Sequence, residues 1–242
     1  MRKFRQGLFI LVLLPALAGC GAEEVRAPSG APLRKPAVVW LSSPYFDPAD
    51  RKPGDIDAIA IHTTEGSYNP KVSWEENQKR MYEGTVRYFH HNDERKVSAN
   101  FVMGPKGEIT QMVAEKDVAW TTTYYNRRSF GIECGGMADR KETWTPELLN
   151  SLVDLVAYLC VKWNIKPVHP DGDAIKGPLK LYADRGYHGF DAPGIVGHYQ
   201  VQTSGSEAVK VGKLGTKTDP GKYFPWEEFI KRVQGKIEGA RP

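Results

Sequence analysis

The chain runs to 242 residues, and 40% of them are hydrophobic, which suits a single well-cored domain with a leader better than two full domains. Lys and Arg number 33 against 29 Asp and Glu, a formal charge of +4 with no dense basic run. That balance excludes a nucleic-acid-binding arm and leaves an anionic polymer as a compatible partner.

The first twenty residues differ in kind from the rest. Arg2, Lys3 and Arg5 precede an apolar run from Leu8 to Leu17, too short to span a bilayer, so 1–20 reads as a secretion signal. Its end, Leu17-Ala18-Gly19-Cys20, resembles the bacterial lipobox. The resemblance implies acylation of Cys20 and a membrane anchor, and Gly21 matches the pattern sorted to the outer membrane. Ordinary cleavage near Ala18 is the alternative. Residues 21–37, rich in Ala, Pro and Gly and without apolar periodicity, read as a flexible tether, which leaves 38–242 as the folded domain. With Cys20 acylated, Cys134 and Cys160 remain. They are either a disulfide, which an exported compartment permits, or two buried thiols.

Within the domain, Ile56, Ile59, Ala60 and Ile61 mark a buried strand that ends at His62. Val72 to Tyr82 is polar and compatible with a helix. Val97 to Met103 reads as a strand, Gly104-Pro105-Lys106-Gly107 as a tight turn, and Glu108 to Val113 as the hairpin partner. Ser129 to Cys134 is a third core strand. The strongest helix starts at Thr145, a good N-cap, with Pro146 at its first position. From there Leu148, Leu149, Leu152, Val153, Val156, Leu159, Cys160 and Trp163 recur at helical spacing and form one apolar face. Ile195-Val196-Gly197-His198 reads as a short strand carrying a histidine at its end, and a last helix begins near Trp226. Strands interleaved with helices predict a single α/β domain whose central mixed sheet is flanked by helices.

The chain has 6 histidines. His90 and His91 are adjacent, and on an extended chain they point to opposite sides, so they do not share a metal. His169, near Asp171 and Asp173, reads as a solvated turn, and His188 as a loop residue. His62 and His198 stand apart because each ends a short apolar run, where a rigid strand meets a surface loop. Downstream, Lys217 and Asp219 alternate in Thr216-Lys217-Thr218-Asp219-Pro220-Gly221. Two imidazoles and a carboxylate are a recurrent catalytic zinc set, although spacing alone does not select these three residues.

Local sequence sharpens the reading. Ile59-Ala60-Ile61-His62-Thr63-Thr64-Glu65-Gly66 resembles the opening metal motif of the type 2 N-acetylmuramoyl-L-alanine amidases, a superfamily that includes the peptidoglycan recognition proteins. Val97-Ser98-Ala99-Asn100-Phe101, Gly107 to Val113, Ala119-Trp120, Asn126 and Ser129-Phe130-Gly131-Ile132-Glu133 follow in the family's order. Gly194 to His198 and Lys217 to Gly221 complete it, so the resemblance covers about residues 55–230.

The resemblance implies that His62, His198 and Asp219 ligate zinc, that Glu133 is the general base, and that Lys217 sits beside the carbonyl under attack. It implies substrate contacts at Asn100, Trp120 and Asn126, with peptidoglycan or a muropeptide as substrate. Many members have a histidine where Asn100 stands and another where Thr121 stands, and the tyrosine-base branches have their tyrosine where this chain has Ala99. The stretch from Val201 to Gly215, longer than is typical, reads as a loop bordering the groove. Two functions are weighed on this basis: a zinc amidase, and a non-catalytic peptidoglycan-binding lipoprotein. Retention of all three ligands together with Glu133 and Lys217 favours the enzyme. A glycosidase would need a positioned pair of carboxylates, and the sequence offers none.

Overall fold

The computed structural model describes residues 23–91, 94–170, 193–201 and 217–239. In chain order its regular elements are β1 (Glu24–Arg26), β2 (Pro32–Arg34), β3 (Val39–Trp40), β4 (Phe46–Asp47), β5 (Ala58–Thr63), α1 (Trp74–His91), β6 (Phe101–Met103), β7 (Ile109–Gln111), β8 (Val118–Ala119), β9 (Ser129–Cys134), α2 (Pro146–Trp163), β10 (Gly194–Gly197) and α3 (Trp226–Glu238). Six strands form the central sheet in the order β10-β5-β9-β6-β7-β3. β10, β5, β9 and β6 run parallel, β7 returns antiparallel to β6, and β3 lies parallel to β7 at the edge. The expected α/β domain with a central mixed sheet is the observed one.

Every residue of β5 is buried, so its side chains must satisfy two faces at once. Ile59 and Ile61 join the main core with Phe130, Ile132, Leu152 and Val156. Ala58 and Ala60 turn the other way, against Tyr125, Val196 and Val201. His62 has the parity of Ala58 and Ala60, so it leaves the strand on the face away from α2. In the parallel register Glu133 of β9 pairs with His62, and Gly197 of β10 pairs with Ile61. The carboxyl ends of three neighbouring strands therefore bring His62, Glu133 and His198 to one level, where open α/β sheets bind their ligands.

α2 covers the opposite face. The Thr145 hydroxyl accepts from the Leu148 N–H at 3.2 Å and Pro146 occupies the first turn, as expected of that sequence. Leu148, Leu152 and Leu159 are fully buried, each contributing about 1.5–3 kcal/mol of apolar burial. α3 packs beside α2 through Phe229 and Val233. The hairpin of β6 and β7 turns at Gly107, whose φ of +83° and closeness to Ser151 and Glu147 of α2 leave no room for a side chain. Arg51, which burial lowers to about 10, donates to the carbonyls of Asn126, Arg127, Ser129, Glu115 and Asp117. It thereby fixes the loop that feeds β9.

Two expectations are corrected, and one question left open is decided. The predicted tether is folded from Glu23 onward: β1 and β2 pair as an antiparallel hairpin, burying Ala27 and Leu33. Charge holds it in place. Lys35 meets Glu115 at 2.6 Å, and Lys162 of α2 bridges Glu23 at 2.5 Å and Glu115 at 2.8 Å. The helix expected over 72–82 continues to His91, so His90 and His91 close a helix, and His90 Nδ1 hydrogen-bonds the Ser42 carbonyl at 2.6 Å. Of the two readings of the cysteines, buried thiols is the observed one. Cys134 and Cys160 are unpaired within the main core, and burial pushes both well up, Cys160 to about 12. Cys20 and the signal segment, His188, Asp171, Asp173 and the insertion after Val201 lie outside the described residues.

Candidate metal centre and active site

Asp219 reaches the strand ends from far along the chain. The Tyr199 N–H, in the short turn that follows β10, donates to the Asp219 carbonyl at 3.1 Å. Gly221, two residues on, has φ +89° and lies so close to Ala138 that any Cβ would collide with the Ala138 carbonyl. The Asp219 arm is thus pinned on one side to the β10 turn and on the other to the loop after β9.

The three atoms expected to hold a metal converge. His62 Nδ1 lies 2.9 Å from His198 Nδ1, His198 Nδ1 lies 3.0 Å from Asp219 Oδ2, and His62 Nδ1 lies 3.3 Å from Asp219 Oδ2. All three residues are buried, and among the described residues they form the one metal-sized cluster of such side chains. A tetrahedral zinc with bonds of about 2.0–2.2 Å separates its ligand atoms by about 3.3–3.6 Å, so the triangle is close to that size and slightly tight. Glu133 Oε1 stands 3.9 Å from His62 Nδ1, outside the triangle but next to it, and Glu133 Oε2 is buried without a hydrogen-bond partner.

Protonation agrees with this geometry. Burial, aided by the neighbouring His62, takes His198 down to about 4, which leaves a neutral imidazole with a lone pair. Burial would raise Asp219, but hydrogen bonds from His198 and His62 outweigh it and hold the carboxyl well below its usual range. Burial would lower His62, but the Glu133 and Asp219 carboxylates outweigh it and raise the ring. A divalent cation held by His62, His198 and Asp219 would meet one carboxylate and two nitrogens, which is zinc's ordinary donor chemistry. Burial raises Glu133 from 4.5 to about 7, with His62 drawing it only part of the way back.

Known proteins resemble this chain in sequence and in fold. Residues 52–222 match the family described as N-acetylmuramoyl-L-alanine amidase. The chain belongs to the N-acetylmuramoyl-L-alanine amidase family. N-acetylmuramoyl-L-alanine amidase A of Achromobacter lyticus is 30% identical over 205 residues, covering 82% of this chain and 94% of that one. Among solved structures, the hydrolase AmiA of Staphylococcus aureus shares the fold at a TM-score of 0.54 and 16% identity, covering 86% of this chain and 88% of that one. An AmpD derivative does so at 0.50 and 20%, covering 81% and 94%.

Around the triangle this amidase-family domain opens a cleft of about 270 Å³. Lys217 lines it beside Glu133, His198 and Asp219. Trp120 lines it too, its ring N–H donating to Asp47 at 3.1 Å and its backbone N–H to Ser98 Oγ at 2.9 Å.

Asn100 and Asn126 are not brought to the cleft, which corrects the expectation that they touch substrate. Asn100 is fully buried and its side-chain oxygen accepts from the Gly131 N–H at 3.1 Å, joining β6 to β9. Asn126 Oδ1 accepts from the Thr121 and Thr122 N–H groups and the Thr122 hydroxyl, at 3.0, 2.6 and 3.0 Å. In both residues the side-chain oxygen is taken up by backbone N–H groups. The cleft wall that the sequence reading missed comes from Thr85, Tyr88 and Phe89 of α1 and from Arg95. A helix assumed to stop at Tyr82 concealed them; the signal that extends it is Phe89, eight residues after Met81, on the same buried face.

Proposed function

We propose that this chain is a zinc-dependent hydrolase that cuts the amide bond between the lactyl group of N-acetylmuramic acid and the first L-alanine of the stem peptide, in peptidoglycan or its fragments. The observation that carries the reading is the triangle of His62 Nδ1, His198 Nδ1 and Asp219 Oδ2, with the Glu133 carboxyl at its edge. Family membership and the activity in the name of the Achromobacter lyticus relative support the same substrate.

His62, His198 and Asp219 would hold the zinc, which when bound polarises a carbonyl and lowers the pKa of water from 15.7 towards about 7. The Glu133 carboxylate takes the proton of the attacking water and delivers it to the departing L-alanine nitrogen. Its place at the edge of the triangle, with Oε1 3.9 Å from His62 Nδ1, suits both tasks. Lys217, at the cleft wall, places an ammonium near the carbonyl oxygen that becomes negative during attack. Trp120 offers a flat apolar wall for the sugar or lactyl group. Acylation at Cys20 would hold this activity on a membrane, the outer membrane facing the periplasm being the destination that Gly21 suggests.

Mass spectrometry of defined muropeptides incubated with the purified zinc-loaded protein tests the assignment. Stem peptides with a free L-alanine N-terminus, and their loss on chelation, are the expected products. Muropeptides left intact after long incubation with zinc would favour the peptidoglycan-binding reading instead.

A further inference from the structure

Glu65 occupies a backbone conformation that its residue type seldom adopts. Its φ is +49°, in the left-handed region that favours glycine or asparagine, and such residues persist where the surroundings hold them. What holds it is its own carboxylate. Oε1 accepts from the Thr63 hydroxyl at 2.6 Å and from the Ala138 N–H at 2.6 Å. The backbone adds a second tie, since the Thr64 N–H donates to the Cys134 carbonyl at 3.1 Å and the Glu65 N–H to the Gly136 carbonyl at 3.0 Å. β5 and β9 are thus laced together past their last paired residues, directly above His62 and Glu133.

Ala138 is the pivot. It receives the side-chain hydrogen bond of Glu65, and its backbone is the surface against which Gly221 packs without room for a Cβ. Gly221 follows Asp219 by two residues, and its N–H closes the turn back to the Thr218 carbonyl at 2.9 Å. One carboxylate oxygen therefore connects the loop leaving His62, the loop leaving Glu133 and the arm presenting Asp219. Glu65 also lines the cleft and is not one of the three clustered ligand residues, while its charge reaches Glu133 and helps to raise that carboxyl.

We infer that Glu65 is a positioning residue, which sets the place of the Asp219 arm and of the Glu133 strand end through Ala138; the inference rests on the zinc-hydrolase reading of the same site. Glycine at this position would take the same φ without strain and would lose the clamp, whereas glutamine would keep an acceptor oxygen for both donors.

The test uses the full-length protein and the variants E65G, E65A and E65Q. Zinc affinity is read by chelator competition, the ligand field from the absorption of the cobalt-substituted protein, and kcat and KM on a defined muropeptide. E65G and E65A are expected to lose about tenfold to a hundredfold in zinc affinity, to shift the cobalt bands, and to lower kcat more than KM changes. E65Q is expected to restore affinity and spectrum nearly to those of the parent protein. E65G keeps the test valid if E65A fails to fold. Parent-like zinc affinity and cobalt bands in E65G would overturn the inference, even with a lowered Tm, and so would an E65Q as impaired as E65G. If the parent protein itself cleaves no muropeptide, the amidase reading fails on that assay, while affinity and spectrum still decide the role of Glu65.

Discussion

Replacing Glu133 by Gln separates the metal centre from the chemistry. The substitution keeps the shape of the side chain and removes its capacity to take a proton. Glu133 Oε1 lies 3.9 Å from His62 Nδ1 but is not an atom of the ligand triangle, so zinc stoichiometry should not change. Its side chain is 16% exposed and stands at the edge of the triangle, where it can reach a water held there. General-base catalysis of this kind contributes about a hundredfold to ten-thousandfold, or about 3–5 kcal/mol of barrier at 1.36 kcal/mol per decade. A neutral amide in that buried position costs less to bury than a carboxylate, so E133Q should melt no lower than the parent at pH 8. The assay pairs kcat/KM on a defined muropeptide with metal content and a melting curve. Turnover within about threefold of the parent, with zinc bound and the fold intact, would remove Glu133 from the mechanism.

Two further outcomes follow from the charges and the leader. Burial alone would raise Glu115, but Lys162, Lys35 and Trp163 outweigh it and hold the carboxyl below its usual 4.5. A depressed carboxyl contributes stability above its unfolded value and loses it as pH falls through the folded value. Glu115→Gln should therefore destabilise the protein at pH 7, with the gap to the parent narrowing in urea melts as pH falls below the usual 4.5; a gap that stays constant over that range would contradict the network. Cys20→Ser should move the protein from the membrane fraction to the soluble one, and unchanged membrane retention would refute acylation at that residue.

Much of the framework was legible because local chemistry and burial agree. The run from Ala58 to Ile61 is apolar because β5 is buried on both faces, and Thr145 with Pro146 marks the start of α2 because those residues satisfy the first turn. His62 and His198 could be singled out as strand-end residues. Their meeting with Asp219 could not be read from spacing, since it depends on the approach of Gly221 to Ala138 and on the Tyr199 hydrogen bond, both long-range. Asn100 and Asn126 misled because an amide suits a sugar as well as a backbone N–H, and only the fold shows which it meets. The hairpin of β1 and β2 was hidden because its strands are three residues each and its partners, Glu115 and Lys162, lie far along the chain.

Anomalous diffraction at the zinc edge, on crystals of the zinc-loaded protein, tests the central claim most directly. One peak is predicted, about 2.0–2.2 Å from His62 Nδ1, His198 Nδ1 and an Asp219 oxygen, and absent after chelation. A zinc bound away from these three atoms, or a site that stays dark with zinc in excess, would contradict it.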